Sequence, residues 1–253
     1  MTRSAASRRL LPRIVRFFAP LFAVTLVVAS VVASPASFAA SGVRPEISVL
    51  LVSEETGQAQ MSLINEESRP MLLHSLIKDV PEDTGPSLLS VTPVSRVEPK
   101  ARQIARFVLE PLKEPLKVQH YKRVTFEGIP PSEKKEGTAR IEMTVRYDLP
   151  VIISPKGMVQ HEAPWELLKW SVAGNKLTVH NPSPYVVRMS REVDLMPAAK
   201  RFEAVNRTFI LPGDTLTVEL PQDTRPESIA AVRLFPASLY GATVDPFDAP
   251  VSR

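Results

Sequence analysis

The sequence predicts an all-β chain arranged as two sandwich domains. Three observations carry this. Short runs of alternating apolar and polar residues recur along the chain, each long enough for one strand. Turn residues separate them at intervals of about 8 to 12 residues, the rhythm of sandwich folds. Beyond the N-terminal stretch, no long segment repeats its apolar residues with the 3.6 period of a helix. The composition agrees, since 25 Pro against 9 Gly in 253 residues suits many strands joined by proline-bearing turns.

The first stretch is not domain material. Arg3, Arg8, Arg9, Arg13 and Arg16 form a basic region without an acidic residue. An apolar run from Phe17 to Ala33 follows, and Ser37 and Ala39 suit a small-x-small cleavage rule. Residues 1–39 therefore read as a secretory signal peptide, leaving 214 residues for two sandwiches of about 100 each. Taking five leader arginines from 31 basic residues leaves 26 against 27 acidic ones, so the excess positive charge belongs to the leader. Nothing in that balance points to a nucleic-acid partner. An exported chain without cysteine is held by its cores rather than by disulfides, and the expected location is the bacterial periplasm.

In order, the first domain (40–152) opens with an apolar strand over Ile47 to Val52 and a turn at Thr56 and Gly57. Gln58 to Ile64 alternates, with Ala59, Met61 and Leu63 on one face. Met71 to Ile77 is a third strand. Leu88 to Val97 carries Pro93 and is expected to be an edge or irregular strand. Gln103 to Leu109 and Tyr121 to Ile129 follow. Then comes a charged loop over 132–137 and the longest alternation, Thr138 to Pro155. There Ala139, Ile141, Met143, Val145 and Tyr147 share one face; Arg140, Glu142, Thr144, Arg146 and Asp148 share the other. A short hinge leads into the second domain (153–253). It repeats the style with Leu167 to Val172, a hairpin at Gly174 and Asn175, Lys176 to His180, Tyr185 to Met189, Asn206 to Leu211, Thr215 to Leu220 and Ile229 to Phe235. Pro164 to Trp170 has room for a short helix, and the tail from Pro246 is expected to fray. Both blocks read as immunoglobulin-like sandwiches.

Signs of catalysis are poor. His74, His120, His161 and His180 form no ligand-spaced pair, and there is no cysteine, so neither a metal site nor a cofactor is expected. The nucleophile elbow, the zinc-protease helix, the P-loop and the dinucleotide fingerprint are all absent. The residues predict a binding protein, not an enzyme.

Five stretches resemble the PapD-like periplasmic chaperones of chaperone–usher pili. Asn65 follows Leu63 and Ile64 where the family closes its second strand with Asn. Gln103 and Arg106 stand three apart after Glu98 and Pro99, as in the family's basic strand. Ile129, Pro130 and Pro131 reproduce its Ile-Pro-Pro, and Met143 to Pro150 is similar to the end of its long seventh strand. Asn181, Pro182, Ser183, Pro184 and Tyr185 match its Asn-Pro-[Ser/Thr]-Pro-Tyr block. The resemblance implies a chaperone that lends its seventh strand to an unfinished pilus subunit and passes the subunit to an outer-membrane usher. On that reading the donor side chains are Ala139, Ile141, Met143 and Val145. An open edge of this kind also invites self-association. The family anchors the subunit's terminal carboxylate with an Arg and a Lys. This chain carries Val49 at the first position and Thr144 or Val145 at the second, so Arg44 and Arg146 are the nearest basic substitutes. The alternative is an envelope module of the same fold, structural or adhesive, that captures no pilin.

Overall fold

The computed structural model describes residues 42–131, 144–242 and 244–253. Among the described residues nine strands build the first domain: β1 (Val43–Pro45), β2 (Leu50–Ser53), β3 (Gln58–Asn65), β4 (Met71–Asp79), β5 (Leu88–Ser90), β6 (Val94–Val97), β7 (Arg102–Leu109), β8 (His120–Ile129) and β9 (Arg146–Ser154). They are hydrogen-bonded in the order β5-β7-β3-β2-β9-β8-β4-β6, with β1 also on β3. Alternation decides which face each strand buries. β3 turns Ala59, Met61 and Leu63 inward, and its register on β7 sets Ala59 opposite Phe107 and Met61 opposite Ala105. Phe107 in turn meets Phe126 of β8 edge-on, ring centroids 6.2 Å apart, which places the two halves of the order face to face. Leu50, Val52, Leu73, Val124, Val151 and Ile153 complete that core. Each such side chain contributes about 1.5–3 kcal/mol through burial.

Two details position the site. The first segment changes partners: β1 runs antiparallel to β3, the chain bends through 46–49, and β2 then runs parallel to β9. The region around Pro93 divides as proline demands, because a residue without N–H interrupts a ladder. β5 becomes the edge beside β7 and β6 the edge beside β4.

The second domain holds β10 (Lys169–Ala173), β11 (Lys176–His180), β12 (Val187–Arg188), β13 (Glu192–Met196), β14 (Lys200–Glu203), β15 (Phe209–Ile210), β16 (Thr215–Glu219), β17 (Ala231–Leu234) and β18 (Phe247–Ser252). Its larger sheet runs β14-β13-β17-β18-β10-β11-β16, and β12 pairs with β15. Trp170, Leu177, Val179, Leu195, Val232 and Leu234 form its core. Pro164–Leu167 makes one 3-10 turn where a short helix had room. The tail does not fray. β18 pairs antiparallel with β17 and parallel with β10, and Ala249 is buried between them. The β13–β14 hairpin is a further element that the local pattern did not announce.

The domains share a third cluster. Val49, Val80, Tyr121 and Ile152 of the first pack against Val186, Phe209 and Leu211 of the second. Tyr121 stacks on Phe209 with centroids 4.1 Å apart. Gln119 fastens the interface: its N–H donates to Pro184 O (2.9 Å), its Oε1 accepts from Val186 N (2.8 Å), and its Nε2 donates to Ser154 Oγ (3.1 Å).

Candidate functional site

The motif residues are scaffold. Asn65 ends β3 with no exposed surface, and its Nδ2 donates to Arg69 O, Val97 O and Glu98 O at 2.9–3.1 Å. Its Oδ1 accepts from Glu67 N. Asn181 repeats the device after β11. Its Nδ2 donates to Tyr185 O (2.8 Å), Ile210 O (3.3 Å) and Leu211 O (3.1 Å), while its Oδ1 accepts from the Ser183 N–H and hydroxyl. Such side chains satisfy carbonyls that an irregular turn leaves over. Pro130 closes β8, and Pro184 supplies the carbonyl that Gln119 binds. Arg106 is exposed on β7 opposite Gln60.

The candidate binding element is one side of β9. Along its whole length β9 pairs with β8, from Arg146 opposite Glu127 to Ile153 opposite His120. On its other side β2 begins only at Leu50 opposite Val151. Among the described residues no strand pairs with that side over Arg146–Pro150. An unpaired strand flank exposes N–H and C=O groups ready for another chain. Beside it lies a groove of about 600 Å³ lined by Pro45, Ile47, Leu51, Tyr147, Leu149 and Tyr240, among others. Ile47 and Leu51 on its wall are exposed, at 53 % and 37 %.

Of the donor candidates, Val145 is half-buried at the start of this flank. Ala139, Ile141 and Met143 lie outside the described residues. Where the alternating face continues, Tyr147 and Leu149 pack against the domain's own core. Of the two anchor candidates, Arg44 is paired with Glu66 at 2.6 Å and Arg146 with Glu127 at 2.6 Å, so a carboxylate already holds each guanidinium. Val49 is 2 % exposed in the interdomain cluster, and Thr144 is exposed.

Asp83 fixes the start of β8 beside the interface. Its Oδ2 accepts from Tyr121 N (2.6 Å), and its Oδ1 accepts from Gly85 N (2.8 Å) and bonds His120 Nδ1 (2.9 Å). Burial pushes the carboxyl up, but the bonds from His120, Tyr121 and Gly85 outweigh it and hold it below its ordinary value. Among the described residues no three metal-ligating side chains converge. The geometry supports strand pairing and apolar contact.

Comparison with known proteins agrees along the chain. Residues 42–159 match the family described as pili and flagellar-assembly chaperone, PapD N-terminal domain. Residues 163–247 match pili assembly chaperone PapD, C-terminal domain. The chain is 39 % identical over 203 residues to the uncharacterized fimbrial chaperone YhcA of Escherichia coli K12, covering 80 % of this chain and 87 % of that one. In fold it is similar to a chain of the Salmonella enterica SafA pilin–SafB chaperone complex, with TM-score 0.67 and 20 % identity over 82 % of this chain and 95 % of that one. It is also similar to the E. coli chaperone DraB, with TM-score 0.65 and 18 % identity over 82 % and 98 % of the two chains.

Proposed function

This chain belongs to the PapD-like pili assembly chaperones, and from that premise we propose that it holds single pilus subunits by pairing them with the open flank of β9. The family is one of assembly chaperones, not of enzymes. The observation that carries the reading is the side of Arg146–Pro150 turned away from β8, along which no strand pairs among the described residues, beside an apolar groove. A subunit that lacks one strand presents the complementary defect, two strand edges and an exposed apolar trough. Adding a strand satisfies main-chain groups on both partners, and alternate side chains select the register. Ala139, Ile141, Met143 and Val145 supply those side chains, since they continue the alternation of the strand upstream of the flank. Three or four of them buried at about 1.5–3 kcal/mol each give several kcal/mol without ATP or a cofactor. The complex forms in the periplasm, reached through the leader of residues 1–39, and delivers its subunit to an outer-membrane usher. The same flank pairs with a second copy when no subunit is present.

The test is the double substitution Ile141→Asp with Met143→Asp. The variant is expected to keep the circular dichroism and melting profile of the parent and to lose co-purification of pilus subunit from a periplasmic extract. Undiminished capture by a folded variant overturns the donor assignment.

A further inference from the structure

The first segment of the chain leaves one partner strand for another, and the place where it does so is a wall of the groove. β1 stays with β3 as far as Glu46, whose N–H donates to Ser62 O (2.9 Å). β2 joins β9 only where Leu50 meets Val151. Ile47, Ser48 and Val49 belong to neither ladder. The groove is built on this bend: Pro45, Ile47 and Leu51 line it from the first segment, Tyr147 and Leu149 from β9. Backbone outside any ladder opens readily, so a wall made of it needs support from elsewhere.

The second domain supplies that support. Val49 is buried with Val186, Phe209 and Leu211. Ser48 Oγ donates to Tyr240 O (2.8 Å), in a tight loop over 238–242. The loop is closed by bonds from Gly241 N to Ser238 O (2.9 Å), Ser238 N to Ala242 O (2.9 Å) and Ala242 N to Ser238 Oγ (3.0 Å). Ala237 N ties it to β12 through Arg188 O (3.0 Å). Gly241 takes φ +82 and sits directly on the bend: a Cβ there would meet Ser48 Oγ at 2.3 Å, Val49 Cγ2 at 3.1 Å and Ser48 Cβ at 3.2 Å. Backbone angle and lack of room both call for glycine. Tyr240 also lines the groove, so the loop adds to the wall as well as holding it. We infer that the 238–242 loop of the second domain braces the groove of the first, with Gly241 and Ser48 as positioning residues for capture of a partner strand. That the groove takes a strand rests on the reading of the β9 flank given above, whereas the brace itself does not.

The test follows backbone amide exchange in the full two-domain protein with no subunit present, and then co-purification of pilus subunit from a periplasmic extract. Gly241→Ala should speed exchange over residues 46–53 by about tenfold or more and leave β3 and β11 as in the parent. Ser48→Ala should speed it by about two- to tenfold, the scale of one hydrogen bond, without moving the second-domain unfolding that Trp165 and Trp170 report. Combined, the two should do less than their sum, because Ser48→Ala removes the atom that the new Cβ meets first. Both variants should capture less subunit. Unchanged exchange over 46–53, or effects that simply add, overturns the brace. A Gly241 that served its own domain alone would lower second-domain stability and leave 46–53 protected. Undiminished capture by a variant whose bend exchanges faster overturns the positioning role. The exchange arm contains no subunit, and the donor reading is judged on Ile141→Asp with Met143→Asp, so the two failures are told apart.

Discussion

Asn181→Asp changes one buried atom and should unsettle the whole second domain. Where Nδ2 now donates to the carbonyls of Tyr185, Ile210 and Leu211 at 2.8–3.3 Å, the variant places a carboxylate oxygen against the same three acceptors. Contacts with three carbonyls, worth about 1 kcal/mol each, are lost, and one carboxylate oxygen is held against those acceptors while the other keeps the Ser183 donors, for a total of about 3–6 kcal/mol. Set against a typical stability of about 5–15 kcal/mol, that is a large share. Both tryptophans, Trp165 and Trp170, sit in this domain's core, so their fluorescence in a urea titration reports it directly. The sign of the pH dependence is fixed. The folded state favours the neutral acid, so the new carboxyl titrates above its unfolded value of about 3.9. The deficit relative to the parent at the same pH is smallest below about pH 3.9, widens as pH rises toward the folded value, and is constant beyond it. A loss under about 1 kcal/mol at neutral pH, or a deficit independent of pH, would refute the role given to Asn181.

Two further outcomes are expected. Asp83 titrates below its ordinary value in the folded protein, so its stabilisation is present above about pH 3.9 and is lost as pH falls through the folded value. Asp83→Asn should cost about 1–3 kcal/mol at neutral pH in urea unfolding, with the gap to the parent closing in acid. Lys122 is 1 % exposed and is paired with Asp79, whose side chain is largely in water. Lys122→Met should leave the thermal midpoint unchanged or raise it, since a well-packed apolar side chain replaces a costly buried ammonium; a large drop would mean that the ion pair itself holds β4 to β8.

Much of the fold could be read locally because its strands are half-buried and therefore alternate. Lys176–His180 stands where the pattern and the Gly174 turn put it, and Asn65 closes β3 as its motif implied. Elements were lost where the local code is silent. The β13–β14 hairpin turns through Pro197, Ala198 and Ala199, and Ala199 takes φ +52 without the Gly or Asn that usually marks a left-handed position. β18 carries Pro250 and earns its order from two flanking strands that are distant in sequence. The candidate site divides in the same way. The alternation leading into β9 is visible in the residues, whereas its open side depends on where β2 stops.

The apolar patch shared by the domains draws on Val49 near one end of the described chain and on Leu211 far along it, with Leu239 packed at its side. Both sandwiches contribute side chains to this patch, so it closes only where both are present. A first domain made alone would present Tyr121 and Ile152 to water as a sticky spot. Cutting the molecule at its hinge would therefore yield an aggregating fragment rather than a convenient half-sized chaperone.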